Sequence, residues 1–537
     1  MLIKAHLRSL LLDLKRSLAS NDTAAIEHCV RQVDSQTLLG EELLSLARIG
    51  GVSEVVRFLA TLAVQNQANL PQAKWVLLAY QSIGQSRLMD GIGLPDRHVV
   101  RNTLEALIGK KPLVRAHGPT ARRKGSLAEW QLAIELCLDH EEEENAAILL
   151  RELPPKIAGK SEVLGIARAV LLRHLLNSRR QRAARAGVFE ILYNRSGGRQ
   201  LAGVRSKLAL ALADSHFWGK KFPESIQWAL RVDSAEDVIT ARFLIAQCHC
   251  HVGDLQASIA ELDRILWQMT AKPHDWHDAT AGSSKPKGER AFAERASKAL
   301  TDLQATLDPL HKKAFLVSGT LLGYARNGAP LSHDKDVDVG IIGWEDQFDI
   351  VDALVKSGLF IVDFRGLRGH RAYCIGVDHK ATGVCVDLFF YHAVGEQLIT
   401  GVNHDFGYLQ KFAFSKFDLQ EIDFLGGTFH APGDIDRNLT ENFGNWRIPD
   451  PDYISHMESP STMDVGGAVH MIVARLHLIS AMNRKKFIKG RRAFEFFKAH
   501  SASPAAMRAD LLERVDRSCL FSAEQTESRN SEEAHCE

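Results

Sequence analysis

Apolar positions recur every three to four residues from Met1 to about Trp267, which is the spacing of amphipathic helices. Glycines, prolines and charged clusters separate these stretches, and strand-like alternation is nearly absent. From Phe315 the pattern changes to short β-branched and aromatic runs that alternate with helical stretches. The pattern therefore predicts a multidomain protein of class α + α/β, with an N-terminal α-solenoid of helical hairpins and a C-terminal mixed α/β domain.

Two segments of the helical half resemble one another. The turn glycines Gly219 and Gly253 are 34 residues apart, and the Ser-Ile pairs that begin at Ser225 and Ser258 are 33 apart. A helix–turn–helix of this period resembles the tetratricopeptide repeat, in which each hairpin covers its apolar face by stacking on a neighbour. Irregular α-hairpins without that geometry are the alternative. We expect the helical repeats to offer a surface for a protein partner.

A polar stretch with two prolines and two glycines, residues 271–290, has the composition of a linker. We therefore expect a tetratricopeptide-like repeat domain over residues 1–270 and a catalytic domain over residues 291–516. The polar, acidic residues 517–537 are expected to form a disordered tail.

Charge and hydropathy exclude several classes of protein. Lys and Arg total 66 and Asp and Glu total 65, so a net charge of +1 argues against a nucleic-acid-coating protein. No run of about 18 apolar residues predicts a membrane span, and the amphipathic N-terminal stretch lacks the apolar core of a signal peptide. We expect a cytoplasmic protein with no nucleic-acid partner and no transmembrane segment. The basic segment 484–492 leaves open an anionic membrane or polymer as a binding partner.

The candidate chemistry begins at a strand–helix junction. A short apolar strand, residues 314–317, leads into Ser318, Gly319 and Thr320, which open a helix. The free backbone N–H groups at a helix start suit a phosphate group. Arg326 lies two turns further along that helix and can reach an anion with two N–H groups.

Acidic residues follow on two predicted strands. Asp336 and Asp338 alternate with valines, so both carboxylates face the same side of their strand. The apolar strand Val384–Phe390 carries one acid, Asp387, which is costly to bury unless it is paired or binds a metal. Neighbouring carboxylates repel unless a cation lies between them, and hard oxygen ligands favour Mg²⁺ or Mn²⁺. The sequence therefore predicts a three-carboxylate metal site.

These motifs resemble the LicD/fukutin family of phosphotransferases. The resemblance lies in Gly319–Arg326, in Lys335–Ile341, in the strand Phe429–Pro432 and in the motif Phe443–Trp446, all within residues 296–453. It implies a nucleotidyltransferase-type fold that passes a phospho-alcohol from a CDP-activated donor to a glycan hydroxyl and releases CMP.

The resemblance also implies site residues. They are the metal ligands Asp336, Asp338, Asp387 and Asp334, and the substrate-binding residues Ser318, Gly319, Thr320 and Arg326. Asp387 is either a ligand or the base that deprotonates the acceptor. Trp446 either stacks on a base or sugar or packs in the core.

We therefore expect a metal-dependent transferase that uses a CDP-linked alcohol as its donor. The transferred group is a polyol phosphate, such as ribitol or glycerol phosphate, or phosphocholine, and the acceptor is a glycan or lipid-linked saccharide of the cell surface. Two alternatives stay open. One is an NTP-dependent nucleotidyltransferase acting on a small molecule, and the other is a catalytically inactive protein that only binds partners through its helical repeats.

Overall fold

The computed structural model describes residues 142–154, 179–196, 202–271, 289–331, 335–362 and 371–519, with single positions between 99 and 171 and at 273 and 276. The chain divides into two compact units, Met1–Lys221 and Phe222–Glu537. Predictions made for residues 1–98 and for the tail beyond residue 519 lie outside the described residues.

The described part of the first unit is helical. Its helices are α1 (Glu143–Glu152), α2 (Arg179–Ala184), α3 (Ala186–Arg195) and α4 (Ala202–Trp218). Helix α3 packs against both α1 and α4, and the guanidinium of Arg195 donates to the backbone carbonyl of Arg151 at 3.1 Å. The prediction of a helical N-terminal region is confirmed, whereas tetratricopeptide geometry remains a prediction.

The second unit combines helices with one mixed sheet. Its helices are α5 (Phe222–Ala229), α6 (Val238–His251), α7 (Leu255–Met269), α8 (Glu289–Leu307), α9 (Ser318–Asn327), α10 (Gln347–Ser357), α11 (Ile435–Phe443), α12 (Ser455–Glu458), α13 (Ala468–Arg484), α14 (Phe487–Ala499) and α15 (Ala509–Cys519). Its strands are β1 (Ala314–Leu316), β2 (Asp336–Ile342), β3 (Phe360–Val362), β4 (Cys374–His379), β5 (Cys385–Val394), β6 (Gln397–Asn403), β7 (Leu409–Ser415), β8 (Leu419–Phe424) and β9 (Gly427–Pro432).

The strands follow the order β3-β4-β5-β2-β1-β9-β8, and β6 pairs with β5 and β7. Strand β2 runs parallel to β5 and antiparallel to β1. Gly340 permits close packing at the centre of this sheet, because a Cβ atom at that position would lie 2.4 Å from the Phe315 ring. Helices α8, α9 and α10 contribute apolar residues to the core beneath the sheet. The central strands therefore hold β2 and β5, which carry the predicted carboxylates, in a fixed register.

The hairpin of α6 and α7 lies in the second unit, so the predicted domain boundary at residue 270 falls inside a compact unit. The reason is long-range packing. Asp263 on α7 accepts a hydrogen bond of 2.7 Å from the fully buried Arg475 on α13, and the two helices share a hydrophobic core. Trp276, in the predicted linker, donates to the carbonyl of Cys519, whose helix runs three residues past the predicted start of the tail.

Candidate active site

Two predicted metal ligands are direct neighbours in the sheet. Asp338 on β2 pairs in parallel register with Asp387 on β5, and Asp336 pairs with Cys385 two residues earlier. Because side chains alternate along a strand, all three carboxylates project from the same sheet face. Val337 and Val339 are buried on the opposite face. The predicted convergence of β2 and β5 therefore exists in the fold.

A bend at the start of α9 lies beside these carboxylates. The backbone N–H of Gly319 donates to Oδ2 of Asp338 at 2.9 Å, and the backbone N–H of Asp338 donates to the Thr320 hydroxyl at 2.8 Å. Ser318 has a left-handed backbone with φ of +44°, a conformation that costs free energy for a residue with a Cβ atom. These contacts fix the Asp338 carboxylate relative to the bend.

The predicted substrate-binding residues separate into two groups. Ser318, Gly319 and Arg326 line a large cavity, whereas Thr320 is buried and its hydroxyl bonds to the backbone. Nε of Arg326 donates to the carbonyl of Trp446 at 2.8 Å, and Nη2 donates to the carbonyl of Ile448 at 3.2 Å. Arg326 therefore holds the segment after α11 at the cavity, while its charge faces no carboxylate among the contacts of the described residues.

The cavity has a volume of about 1120 Å³. Asp338 and Asp387 line it, and Asp336, at the exposed end of β2, does not. Its other polar lining residues include Tyr391, Thr400, Asn442, Tyr453, Asp450, His456, Glu458, Lys489 and Arg492. Trp446 also lines the cavity, and its indole N–H donates to Asp436 at 3.0 Å. The guanidinium of Arg447 lies over the Trp446 ring, which also packs against the core. Asp334 lies outside the described residues.

The carboxylates impose a negative potential on their surroundings. Burial raises the pKa of Asp387 above its ordinary value, and the neighbouring charges of Asp336 and Asp378 raise it further. Burial, followed by Asp387 and Asp378, raises the pKa of the Cys385 thiol to about 12. Burial and the charge of Asp338 also raise the pKa of Tyr391. The potential is of the sign that binds cations.

Sequence reasoning missed Asp378. It lies on β4 opposite Cys385 and, with Asp387, lines a second cavity of about 340 Å³. Gly376 lies opposite Asp387, and a Cβ atom there would be in ordinary contact with Oδ1 at 3.5 Å. The alternation of residues 374–378 gave a usable signal, because it places Asp378 and Gly376 on one strand face. Thr400 and Lys489 gave no such signal, because long-range packing alone brings them to the cavity.

The donor chemistry fits a hard divalent cation, because the group consists of carboxylate oxygens on one sheet face. Among the described residues, no group of three His, Cys, Asp or Glu side chains is positioned to hold a metal ion. One reason is that an oxygen of the Asp338 carboxylate accepts a hydrogen bond from the backbone N–H of Gly319.

The acidic strands β2 and β5 and the bend at the start of α9 lie within one stretch of the chain that matches a family model. Residues 312–434 match the family model described as LicD/FKTN/FKRP, nucleotidyltransferase domain. The chain therefore carries a domain of the LicD/FKTN/FKRP family in its C-terminal half, as the sequence motifs predicted.

Curated relatives agree with this assignment. The chain is 29% identical over 160 residues to the mouse (Mus musculus) protein named ribitol-5-phosphate transferase FKTN, which covers 29% of this chain and 34% of the relative. The human (Homo sapiens) protein of the same name is 29% identical over 161 residues, 30% of this chain and 34% of the relative. The chain thus spans about a third of the length of the curated relatives that it matches.

Every helix in the described part of the chain is too short or too polar to cross a membrane.

Proposed function

We propose that this protein transfers a polyol phosphate, with ribitol phosphate as the leading candidate, from a CDP-linked donor to a glycan hydroxyl. The observation that carries the proposal is the register pair of Asp338 and Asp387, which share one cavity with the 318–319 bend. The similarity to proteins named ribitol-5-phosphate transferase supports a polyol phosphate rather than phosphocholine.

In this proposal Asp336 and Asp338 would hold a Mg²⁺ or Mn²⁺ ion, whose chemistry would be to neutralise charge on the donor's diphosphate. Asp387, on the adjacent strand, takes the proton of the acceptor hydroxyl. The acceptor oxygen then forms a bond to the distal phosphorus, the bond from that phosphorus to the oxygen of CMP breaks, and CMP leaves with the electron pair. Displacement at phosphorus depends mainly on positioning and charge neutralisation, and the acidic sheet face would contribute to both by holding the cation.

The large cavity supports the proposal by its size and by its chemistry. A volume of about 1120 Å³ exceeds what a mononucleotide alone requires, which leaves room for donor and acceptor together. Aromatic side chains line it beside the acids, among them Phe389, Phe412 and Trp446. Aromatic rings of this kind stack on sugars and bases.

The test is to incubate purified protein and Mg²⁺ with CDP-ribitol, CDP-glycerol or CDP-choline and a panel of glycan acceptors, and to measure CMP. We expect CMP release that depends on the acceptor and is abolished by EDTA. Release of pyrophosphate from a nucleoside triphosphate would instead support nucleotidyl transfer. Absence of CMP release with every donor and acceptor would contradict the proposal.

A further inference from the structure

The donors that the sequence assigns to a phosphate are engaged within the protein. The backbone N–H of Gly319 donates to the Asp338 carboxylate at 2.9 Å. Two N–H groups of the Arg326 guanidinium donate to the carbonyls of Trp446, at 2.8 Å, and Ile448, at 3.2 Å. A phosphate group bound beside Asp338 would therefore gain from another hydrogen-bond donor.

The phenol of Tyr391 lies in this part of the cavity. Tyr391 follows Asp387 by four residues on β5, so both side chains project from the same sheet face. Both residues line the large cavity together with Asp338. Burial, followed by the charge of Asp338, raises the pKa of Tyr391, so that carboxylate lies near the phenol. The phenol forms no hydrogen bond with another described residue.

The ring of Tyr391 is held in place by other aromatic rings. Its centroid lies 5.4 Å from that of Phe315, 6.1 Å from that of Phe414 and 6.4 Å from that of Phe417. Gly340 makes room for the ring, because a Cβ atom at that position would lie 2.9 Å from Cε2 of Tyr391. A donor whose ring is fixed by packing loses little conformational entropy when it binds a ligand.

We propose that the hydroxyl of Tyr391 donates a hydrogen bond to a phosphate oxygen of the donor's diphosphate, bound beside Asp338. This inference rests on the proposed function, which assigns the diphosphate to the acidic sheet face. A phenol is neutral and protonated at neutral pH, so it donates to a phosphate without forming an ion pair with the carboxylates around it. A Lys or Arg side chain at this position would pair with those carboxylates instead.

The experiment measures binding of inorganic pyrophosphate to the full chain by isothermal titration calorimetry in the presence of Mg²⁺. We expect Tyr391→Phe to bind pyrophosphate about tenfold more weakly than the wild type, because one hydrogen bond to a charged acceptor is lost. Tyr373→Phe is the matched control, since Tyr373 is buried against Trp344 and does not line the cavity. Urea denaturation should give Tyr391→Phe the stability of the wild type, because the ring and its packing are kept.

Three results would overturn the proposal. They are absence of pyrophosphate binding by the wild type, equal affinity in the wild type and Tyr391→Phe, and equal weakening in Tyr373→Phe. Binding needs no turnover, so its outcome is separate from that of the proposed function. A wild type that binds pyrophosphate through Tyr391 but releases no CMP would contradict the proposed function alone.

Discussion

Asp338 joins the strand–helix bend to the acidic sheet face through its side chain and its backbone. We expect Asp338→Asn to keep the fold, because an amide oxygen still accepts from Gly319, and to lower the rate of CMP release at least about a hundredfold, because a charged oxygen ligand is lost. Asp352→Asn is the control, since Asp352 is an exposed acid on α10. Thermal unfolding and CMP release measured together test this, and full activity in Asp338→Asn would contradict it.

A second prediction at the residue scale concerns hydroxyl groups without partners. Thr400 is 3% exposed and Thr462 is 6% exposed, and neither hydroxyl has a hydrogen-bond partner among the described residues. Replacing an unpaired buried hydroxyl by a methyl group removes a desolvation penalty of about 1–3 kcal/mol. We expect Thr400→Val and Thr462→Val each to raise the free energy of unfolding by about 1 kcal/mol. In Thr320→Val the free energy of unfolding should fall, because the Thr320 hydroxyl accepts a hydrogen bond from the backbone N–H of Asp338.

Urea denaturation of the three valine variants measures these changes. If Thr400→Val lowers the free energy of unfolding as much as Thr320→Val does, the prediction is contradicted. That result would show that the Thr400 hydroxyl forms a hydrogen bond to bound water.

At the scale of elements, α7 is attached to α13 through a buried ion pair. Arg475 is fully buried and bonds to Asp263 at 2.7 and 3.2 Å, so Asp263→Ala leaves its charge uncompensated. Removing one partner of a buried pair costs about 3–5 kcal/mol. Arg264→Ala is the control, because Arg264 is exposed, and we expect it to cost less than about 1 kcal/mol. Urea denaturation compares the two variants, and equal costs would contradict this role for the pair.

The elements around the acids were predictable because their signals are local. The predicted strand that carries Asp336 and Asp338 is β2, and the helix predicted to open at Ser318, Gly319 and Thr320 is α9, which begins at Ser318. Alternation placed Asp336 and Asp338 on one face, and the register with β5 then brought Asp387 beside them. These inferences need only the periodicity of a strand and the free energy of a buried charge.

The remainder depends on contacts between distant segments. No local pattern indicates that Asp263 pairs with Arg475, and the polar stretch after residue 270 by itself predicts a domain boundary. Lys489 likewise reaches the cavity only through the packing of α14. The two-residue periodicity of β4 is visible in the sequence, but only the pairing of β4 with β5 brings Asp378 close to Asp387.

At the scale of the molecule, several buried imidazoles make stability depend on pH. Burial lowers the pKa of His477 from 6.5 to about 4, and His456, Lys489 and His404 act in the same direction. The unfolded chain therefore binds the proton first as pH falls, so stability is lost from about pH 6.5 downward and levels off below about pH 4. We expect a loss of about 1–2 kcal/mol from this group between pH 7 and pH 5.

The free energy of unfolding at several pH values, measured in the wild type and in His477→Gln, tests this dependence. The variant should lose less stability on acidification than the wild type does. Parallel pH profiles for the wild type and His477→Gln would contradict the assignment.

The central claim is that carboxylates on adjacent strands support transfer of a polyol phosphate to a glycan. The most direct measurement uses CDP-[¹⁴C]ribitol with Mg²⁺ and counts label in the glycan against CMP released, in the wild type and in Asp387→Asn. We expect one labelled ribitol phosphate in the glycan for each CMP from the wild type and at least about a hundredfold less from the variant. Equal labelling by Asp387→Asn, or CMP released without label in the glycan, would contradict the account.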